Sequence, residues 1–581
     1  MKKEKINSGE DLSVFLRQNE QICRNSPELE MYSKASIKNK EIEISYREFI
    51  KALQDQRECE VVFEDCVFNF LDATQSGTDD IGITKISFID CKFKYSLVLG
   101  SLGVNTRESD FEIAFYKCTF EKDIIISYIS PHTDSKNNIK LTFIGNTYHQ
   151  NTKIQLSNFK CAEDQDNLIR INIRDKSLGH LKLHDISKLL LILPIPIKTL
   201  EINNVDSLDF EPVGTLEFEE FILRNSTLNS FPSNKKIKRY EFRNSTIKHQ
   251  LNITRNFEIE SFYVENTIFD KNIALYSSDD NHHKINTVFF KNCTLPKVIF
   301  SGCKIETIKF INCAFKESVK LVNFKEGTKE VSFHCSTVHK FLFFNGWEDV
   351  LNVSENCTLD FSQVFVEQTG HIIVRNINEK EKKGELDFQY ANVLGTVTIQ
   401  DSKLKSLNME KSTIVGQFNV EDVDVELANR ETARRIKNEF YKNNDTVNAL
   451  KYRAKEMELY SQELSWRSNF LDFALLKLNS WSNSNGTNWI KGVGFTILSW
   501  IFFFGLFVFI KYDDIFFLCM TNYWEPFVKY LWLPQGFGEL FSNDASTPLR
   551  IVVGTFVFIL GKISIAYGIY QTIAAFRKYG K

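Results

Sequence analysis

At 581 residues the chain is too long for one ordinary core, and a net charge of −3 offers no global electrostatic case for binding nucleic acid. Phe is unusually common (51 residues) and Pro scarce (10), which excludes a disordered chain. The N-terminal stretch MKKEKINSGEDLSVF has no apolar run long enough for a signal peptide, so the bulk of the chain is expected in the cytoplasm. Eleven of the 12 Cys precede residue 360 and read as reduced, buried, small apolar residues rather than a secreted disulfide framework.

An N-terminal helical cap is expected over residues 1–54. An irregular repeat follows. FEDCVF (from Phe63) recurs as FIDCKF (Phe88), FYKCTF (Phe115), FIGNTY (Phe143), FRNSTI (Phe242), YVENTI (Tyr263), FKNCTL (Phe290), FSGCKI (Phe300), FINCAF (Phe310) and FHCSTV (Phe333), then as FQYANV, IQDSKL and MEKSTI. The pattern is an apolar residue, two variable ones, a small or turn-forming one, one variable and one apolar. Self-similarity at intervals of roughly 20–28 residues signals a solenoid whose neighbouring repeats supply the core that no single repeat can bury. Local alternation is strand-like. The expected fold class is therefore a β-solenoid, a right-handed parallel β-helix over 55–427, followed by a helical hairpin and two transmembrane α-helices. Residues 160–220 fit the repeat poorly, and LLLILPIPIKTLEINNV reads as two repeats with a loop between them. Asn225 and Asn244, in NST triplets, read as turn residues. His282 and His283 lie in the polar run SSDDNHHK; without further spaced ligands they suit a solvated loop better than a metal site. Some β-helices degrade polysaccharides with clustered acids, but no such cluster stands out here. No enzymatic activity, catalytic residue, metal or cofactor is expected.

A helical neck is expected over 428–488. Ile436, Phe440, Leu450, Met457 and Leu464 recur at helical spacing across two helices, 429–442 and 446–470, with Asp445 or Thr446 as the cap of the second. Arg430, Arg434, Arg435 and Lys437 make the first helix basic, which suits either a solvated face or contact with anionic headgroups. Phe470 to Leu478 has the character of a helix lying in the membrane interface, with Trp481 and Trp489 at headgroup level.

GVGFTILSWIFFFGLFVFI, Gly492 to Ile510, carries no charge over about 28 Å of helix, and a first span is expected over 489–511. An external loop, 512–549, holds five acids and only Lys529 as a base; a second span follows over 550–576 and a basic tail over 577–581. Arg577 and Lys578 in the tail, with the basic neck, place both termini in the cytoplasm and add headgroup contacts.

Lys562 is the twelfth of the 23 residues from Ile551 to Ile573. It lies too deep to snorkel, at an insertion cost of about 2.5–3.5 kcal/mol, and needs water, backbone carbonyls or a group on another subunit. Gly554, Gly561, Gly568 and Ala575 recur every seventh residue and form a seam that another helix can approach closely. Thr555 and Lys562 project to one side of that seam, as on a pore-lining helix in a homo-oligomer; a lysine buried at a helix–helix contact is the other reading. The loop motif QGFGEL lacks the Thr-rich lead-in of a potassium filter and suits a turn.

RRIKNEFYKNNDTVNALKYRAKEMELY, NGTNWIKGVGFTIL and GKISIAYGIYQTIAAFRKYGK, within residues 428–581, resemble bacterial membrane proteins of the Bacteroidetes type that join a pentapeptide-repeat-like β-helix to a two-span, ion-channel-like C-terminus. The resemblance implies channel-like architecture in the bacterial inner membrane and no catalytic residues. The expectation is an oligomeric channel or a membrane-permeabilising effector, of the kind used in anti-phage defence, with a cytoplasmic β-helix that senses or docks. The alternative is a tethered β-helix scaffold that binds a protein partner without transport. Lipid bilayer, a second copy of the chain and a protein on the β-helix are the expected partners; nucleic acid is not.

Overall fold

The computed structural model describes residues 3–576 except 19, 24–31, 55–58, 70–78, 82, 105–109, 132–137, 150–151, 160–167, 176–177, 194–195, 212–215, 232–234, 254–257, 277–283, 323–327, 345–354, 379, 466, 468, 513–523, 533, 535 and 537–546. His282, His283, Arg577 and Lys578 thus lie outside the described residues.

Most of the first 427 residues are strands in long stacked sheets, and the pairing is almost entirely parallel. Each repeat pairs with the next in the register the motif dictates: Phe63 opposite Phe88, Phe88 opposite Phe115, Phe115 opposite Phe143. The pairing turns the abundance of Phe into columns. Rings 63, 88, 115 and 143 stack at 5.3, 4.9 and 5.0 Å, and a second column, Phe68, Phe93 and Phe120, stacks at 4.9 and 4.8 Å. The columns meet edge-on, as Phe63 and Phe68 do at 5.3 Å, the geometry favoured by the ring quadrupole. A later column joins Phe290, Phe310, Phe333 and Phe361. All these rings are buried.

The repeat differs from its sequence reading in two adjacent positions. The residue read as variable, third in the motif, is the conformationally demanding one: Asp65, Asp90, Asn225, Asn244, Asn292 and Asn312 all have φ between 47° and 53°. Asn and Asp tolerate this left-handed conformation better than other residues with a Cβ. The fourth position, read as the turn former, is instead turned inward and buried, as at Cys66, Cys91, Cys118, Ser226 and Ser245. Its thiol or hydroxyl donates to nearby backbone carbonyls, Cys91 Sγ to the Phe63 oxygen at 3.3 Å and Ser245 Oγ to the Arg243 oxygen at 2.7 Å. Burial pushes the thiols of Cys303 and Cys357 up to about 12. Outside, the asparagines form a ladder: Asn244 donates to Asn225, Asn266 to Asn244, Asn292 to Asn266 and Asn312 to Asn292, at 3.2, 3.0, 2.9 and 2.8 Å. The copy starting at Tyr263 is displaced by one residue. Val264, not Tyr263, pairs with Phe290, and Tyr263 stacks on Phe289. The poorly matching region holds two long strands, Leu178–Ile192 and Ile197–Phe210, paired in parallel with Leu181 opposite Leu200.

Eight helices occur among the described residues. Helices α1 (Gly9–Gln18) and α2 (Tyr46–Gln54) lie at the N-terminal end. Ser45 and Glu48 form a capping box at the start of α2, with hydrogen bonds of 3.3 and 3.0 Å. Phe49 then covers the first ring of the column, 5.7 Å from Phe63.

After the strands come α3 (Arg430–Lys442), α4 (Thr446–Glu463), α5 (Phe470–Asn483), α6 (Trp489–Tyr512), α7 (Trp524–Leu531) and α8 (Pro548–Phe576). The chain forms two compact units. One comprises Met1–Leu386, Asn392–Leu404 and Glu421–Asp424; the other comprises Asp387–Ala391, Lys405–Val420 and Val425–Lys581. Both α6 and α8 are long and apolar enough to cross a membrane.

Candidate functional site

The ladder motif leads into the neck. Asn429 donates to Asn408 Oδ1 at 2.9 Å and caps α3 by accepting from the Thr432 amide. Asp445 caps α4 through the Asn448 amide at 3.0 Å. The second neck helix stops at Glu463, short of the expected 470, and its buried face is Ala449, Tyr452 and Glu456, with Leu450 and Met457 only half-buried.

The basic residues of α3 converge on an acid. Glu456, with 4% of its side chain exposed, lies 2.7 Å from Lys437, 3.1 Å from Arg434 and 4.0 Å from Arg430. Burial pushes this carboxyl upward, but the hydrogen bonds and charges of Lys437 and Arg434 together outweigh it and hold it below the usual range. Arg430 also lies over the Tyr460 ring at 3.7 Å, and Arg435 pairs with Glu431 at 2.5 Å. Within the neck, then, all four residues make internal ion pairs.

Helix α5 leaves Phe470, Leu471, Leu475 and Trp481 exposed along one side. Its other side is joined to α8 by a polar cluster. Asn483 donates to the Gln571 side chain and backbone carbonyl, the Gln571 amide donates to Asn479 Oδ1 at 2.6 Å, and the Tyr567 hydroxyl donates to the same oxygen at 2.8 Å. The sequence reading passed over this cluster. Its signal is two polar pairs, Asn479 with Asn483 and Tyr567 with Gln571, each four residues apart on one helix face.

The small-residue seam is buried at all four positions. It is filled from within the chain. A Cβ on Gly568 would lie 3.0 Å from the Thr496 Cα of α6; one on Gly561 would collide with the Tyr530 hydroxyl and lie 2.8 Å from the Phe503 Cβ. Only glycine permits these approaches.

Tyr530 belongs to α7, which folds back between α6 and α8. Its ring is fully buried and packs against Phe504, Phe507 and Phe558. Phe504 lies eight residues before the end of α6, about 12 Å along its axis, so the C-terminal end of α7 sits well below the ends of the long helices. Trp500 fixes α7 from the side, stacking on Phe527 at 4.0 Å and donating to its carbonyl at 2.8 Å.

Lys562, itself half-buried, meets α7 at that end, where Tyr530 is buried and Trp532 is exposed. Its ammonium donates to the Tyr530 carbonyl at 2.8 Å and the Trp532 carbonyl at 2.5 Å, and it lies 5.2 Å from the Tyr530 and Phe558 rings. The last carbonyls of a helix lack partners within it and carry its negative dipole end, so the site solvates the charge and offsets part of it. Of the three expected sources of relief, backbone carbonyls of the same chain supply it here. Thr555 donates to the Ile551 carbonyl of its own helix at 2.7 Å. Of QGFGEL only Gly536 is described at a side-chain level, with open space around its Cβ position.

No protein-family model matches the chain, no curated protein matches it, and no solved structure matches it.

Proposed function

We propose that this chain is a multi-pass inner-membrane protein in which a cytoplasmic parallel β-helix controls a channel-like or permeabilising C-terminal element. In this reading α6 and α8 are the spans and α7 is a re-entrant helix entering from the outer side. The observation that carries it is the ammonium of Lys562 at the carbonyl end of α7. A short helix between two spans, with its negative end aimed into the protein at membrane depth, is an arrangement that favours a cation there, and Lys562 fills the place with a tethered one. Irregular backbone at that depth is tolerated only where protein or water surrounds it, and α7 has protein on both sides. Kinship with two-span, channel-like bacterial proteins belongs to this same proposal.

The test is planar-bilayer conductance of the purified chain beside Lys562→Ala. Discrete currents whose preference moves toward cations in the variant are expected, because a fixed positive charge repels them. Currents unchanged by the substitution would remove Lys562 from the conduction path.

One observation favours a second reading, the tethered scaffold. The glycine seam is occupied by α6 and Tyr530, so a second copy would have to dock on another face of α8. Replacing residues 489–576 with an unrelated two-span anchor would leave a scaffold active and abolish a channel.

A further inference from the structure

Two cavities meet at Lys491, where α6 begins. One is an apolar groove of about 860 Å³ lined by Leu478 and Trp481 of α5 and by Phe495, Leu498 and Phe502 of α6. The other, about 400 Å³, is polar and lies toward α4; Lys451, Lys455, Glu458 and Asn485 line it. Lys491 borders both.

The groove has the length of one leaflet. From Lys491 to Phe502 the α6 axis advances about 16 Å, and half a hydrocarbon core is about 15 Å. The polar cavity sits at the end of α6 where charged residues resume, which is headgroup depth for a spanning helix. Lys451 and Lys491 are exposed there, whereas Lys455 donates to the Val425 carbonyl at 3.2 Å. Asn485 donates to the Ala454 carbonyl, but its buried Oδ1 has no donor among the described residues. A ligand fitting both cavities therefore has an acyl chain, an anionic group beside Lys451 and Lys491, and a hydrogen-bond donor for Asn485 Oδ1 and Glu458.

We propose that the two cavities form one binding site for an anionic phospholipid with a hydroxylated headgroup, phosphatidylglycerol. The phosphodiester accepts from Lys451 and Lys491, the glycerol hydroxyls donate to Asn485 and Glu458, and one acyl chain lies along α6 beneath Trp481. A lipid held this way ties α4, α5 and the first span together. The inference rests on the membrane reading above.

The experiment is native mass spectrometry of the full chain in detergent, titrated separately with dioleoylphosphatidylglycerol and dioleoylphosphatidylcholine, beside flotation of the chain with vesicles. Each lysine near an anionic headgroup contributes about fivefold in affinity. One phosphatidylglycerol is expected to be retained per chain at a concentration about tenfold or more below that needed for phosphatidylcholine. In Lys451→Gln/Lys491→Gln the two lipids should bind within about twofold of each other. Gly494 lines the groove and nothing lies within 4 Å of its Cβ position, so Gly494→Leu projects into the groove and should weaken both lipids together. Equal retention of the two lipids by the unmodified chain, or undiminished retention by Gly494→Leu, would overturn the site while flotation persists. Displacement of the lipid by inorganic phosphate alone would overturn the acyl-chain half. A chain that does not float with vesicles overturns the membrane reading, and this one with it.

Discussion

The ammonium of Lys562 donates to the carbonyl of Tyr530, 32 residues earlier in the chain, while the ring of the same tyrosine stands 5.2 Å from it. The tyrosine thus engages the lysine twice, through its backbone oxygen and its π face. Its side chain also occupies the space beside Gly561, one residue before the lysine. Charge relief and helix packing are consequently coupled through one residue of α7, and substitutions on either side of the contact should be felt on the other.

Removing the charge while keeping its bulk tests whether Lys562 holds α7 in place. Lys562→Met deletes two hydrogen bonds from a charged donor, each of a type that contributes about 1.5–3 kcal/mol, and leaves the Tyr530 and Trp532 carbonyls without it. Amide hydrogen exchange over residues 524–532 in nanodiscs should accelerate by about tenfold or more. Unchanged exchange in that segment would mean that the aromatic packing alone retains α7.

The approach at Gly561 makes a reciprocal prediction. Gly561→Ala drives a methyl into Tyr530 and Phe503, and overpacking of this kind costs about 1–3 kcal/mol. That exceeds the roughly 1 kcal/mol that alanine adds to a helix interior. Tyr530→Phe alone should be neutral or stabilising, because the tyrosine hydroxyl is buried with no hydrogen-bond partner among the described residues. Combining the two removes the closest contact, with the tyrosine hydroxyl, keeps the helix gain and leaves the approaches to the Phe503 Cβ at 2.8 Å and the ring carbon of residue 530 at 3.1 Å. Thermal unfolding in detergent should therefore rank Gly561→Ala below the double variant; equal loss in both would show that Phe503, not Tyr530, sets the limit.

Glu456 carries the acid sensitivity of the neck. Its folded carboxyl lies below the ordinary value of 4.5, so its contribution to stability is complete above that pH and is lost as pH falls through the lower, folded value. Glu456→Gln leaves a half-exposed Arg434 and a mostly covered Lys437 facing a neutral group and should cost about 1–2 kcal/mol, less than for a fully buried pair because solvent reaches the arginine. The variant should also lose part of the acid-induced fall in stability seen for the unmodified chain. An acid transition of identical slope in both would assign that transition to other carboxylates.

The parts of this molecule that were legible in its sequence are those where one residue type has one physical use. An apolar motif recurring roughly every 20–28 residues called for stacked repeats, an uncharged run of 19 residues for a long apolar helix, and Asp445 or Thr446 for a helix cap, which Asp445 supplies. What escaped was whatever depended on a partner distant in the chain. Lys562 announced a need for oxygen ligands without saying that Tyr530 and Trp532 supply them, since α7 is a short segment whose packing comes from Phe504 and Phe558 on two other helices. The bases of α3 read as a solvated face or as headgroup contacts because nothing in the sequence singles out Glu456, one of three acids on α4, as the partner of Arg434 and Lys437. Likewise the third residue of the repeat varies in chemistry, from Asp65 to Lys117 to Asn292, while its backbone conformation does not vary.

That last position offers a test of the repeat itself. Asn292 has φ 53°, accepts from Asn312 and donates to Asn266. Two costs are joined at this residue, and two substitutions separate them. Asn292→Gly keeps the left-handed conformation freely available but removes both ladder bonds, each worth about 0.5 kcal/mol net because both are exposed to water. Asn292→Ala removes the same bonds and in addition forces a Cβ into the left-handed region, at about 1–2 kcal/mol more. Chemical denaturation should therefore order the three as Asn, then Gly, then Ala. If glycine proves as damaging as alanine, the ladder carries the stability and the turn conformation is incidental; if glycine matches asparagine, the conformation alone explains the preference for Asn and Asp. A clear three-step order makes each repeat depend on both its own turn and the asparagines of its neighbours, which is how a short, irregular motif can keep its register over hundreds of residues.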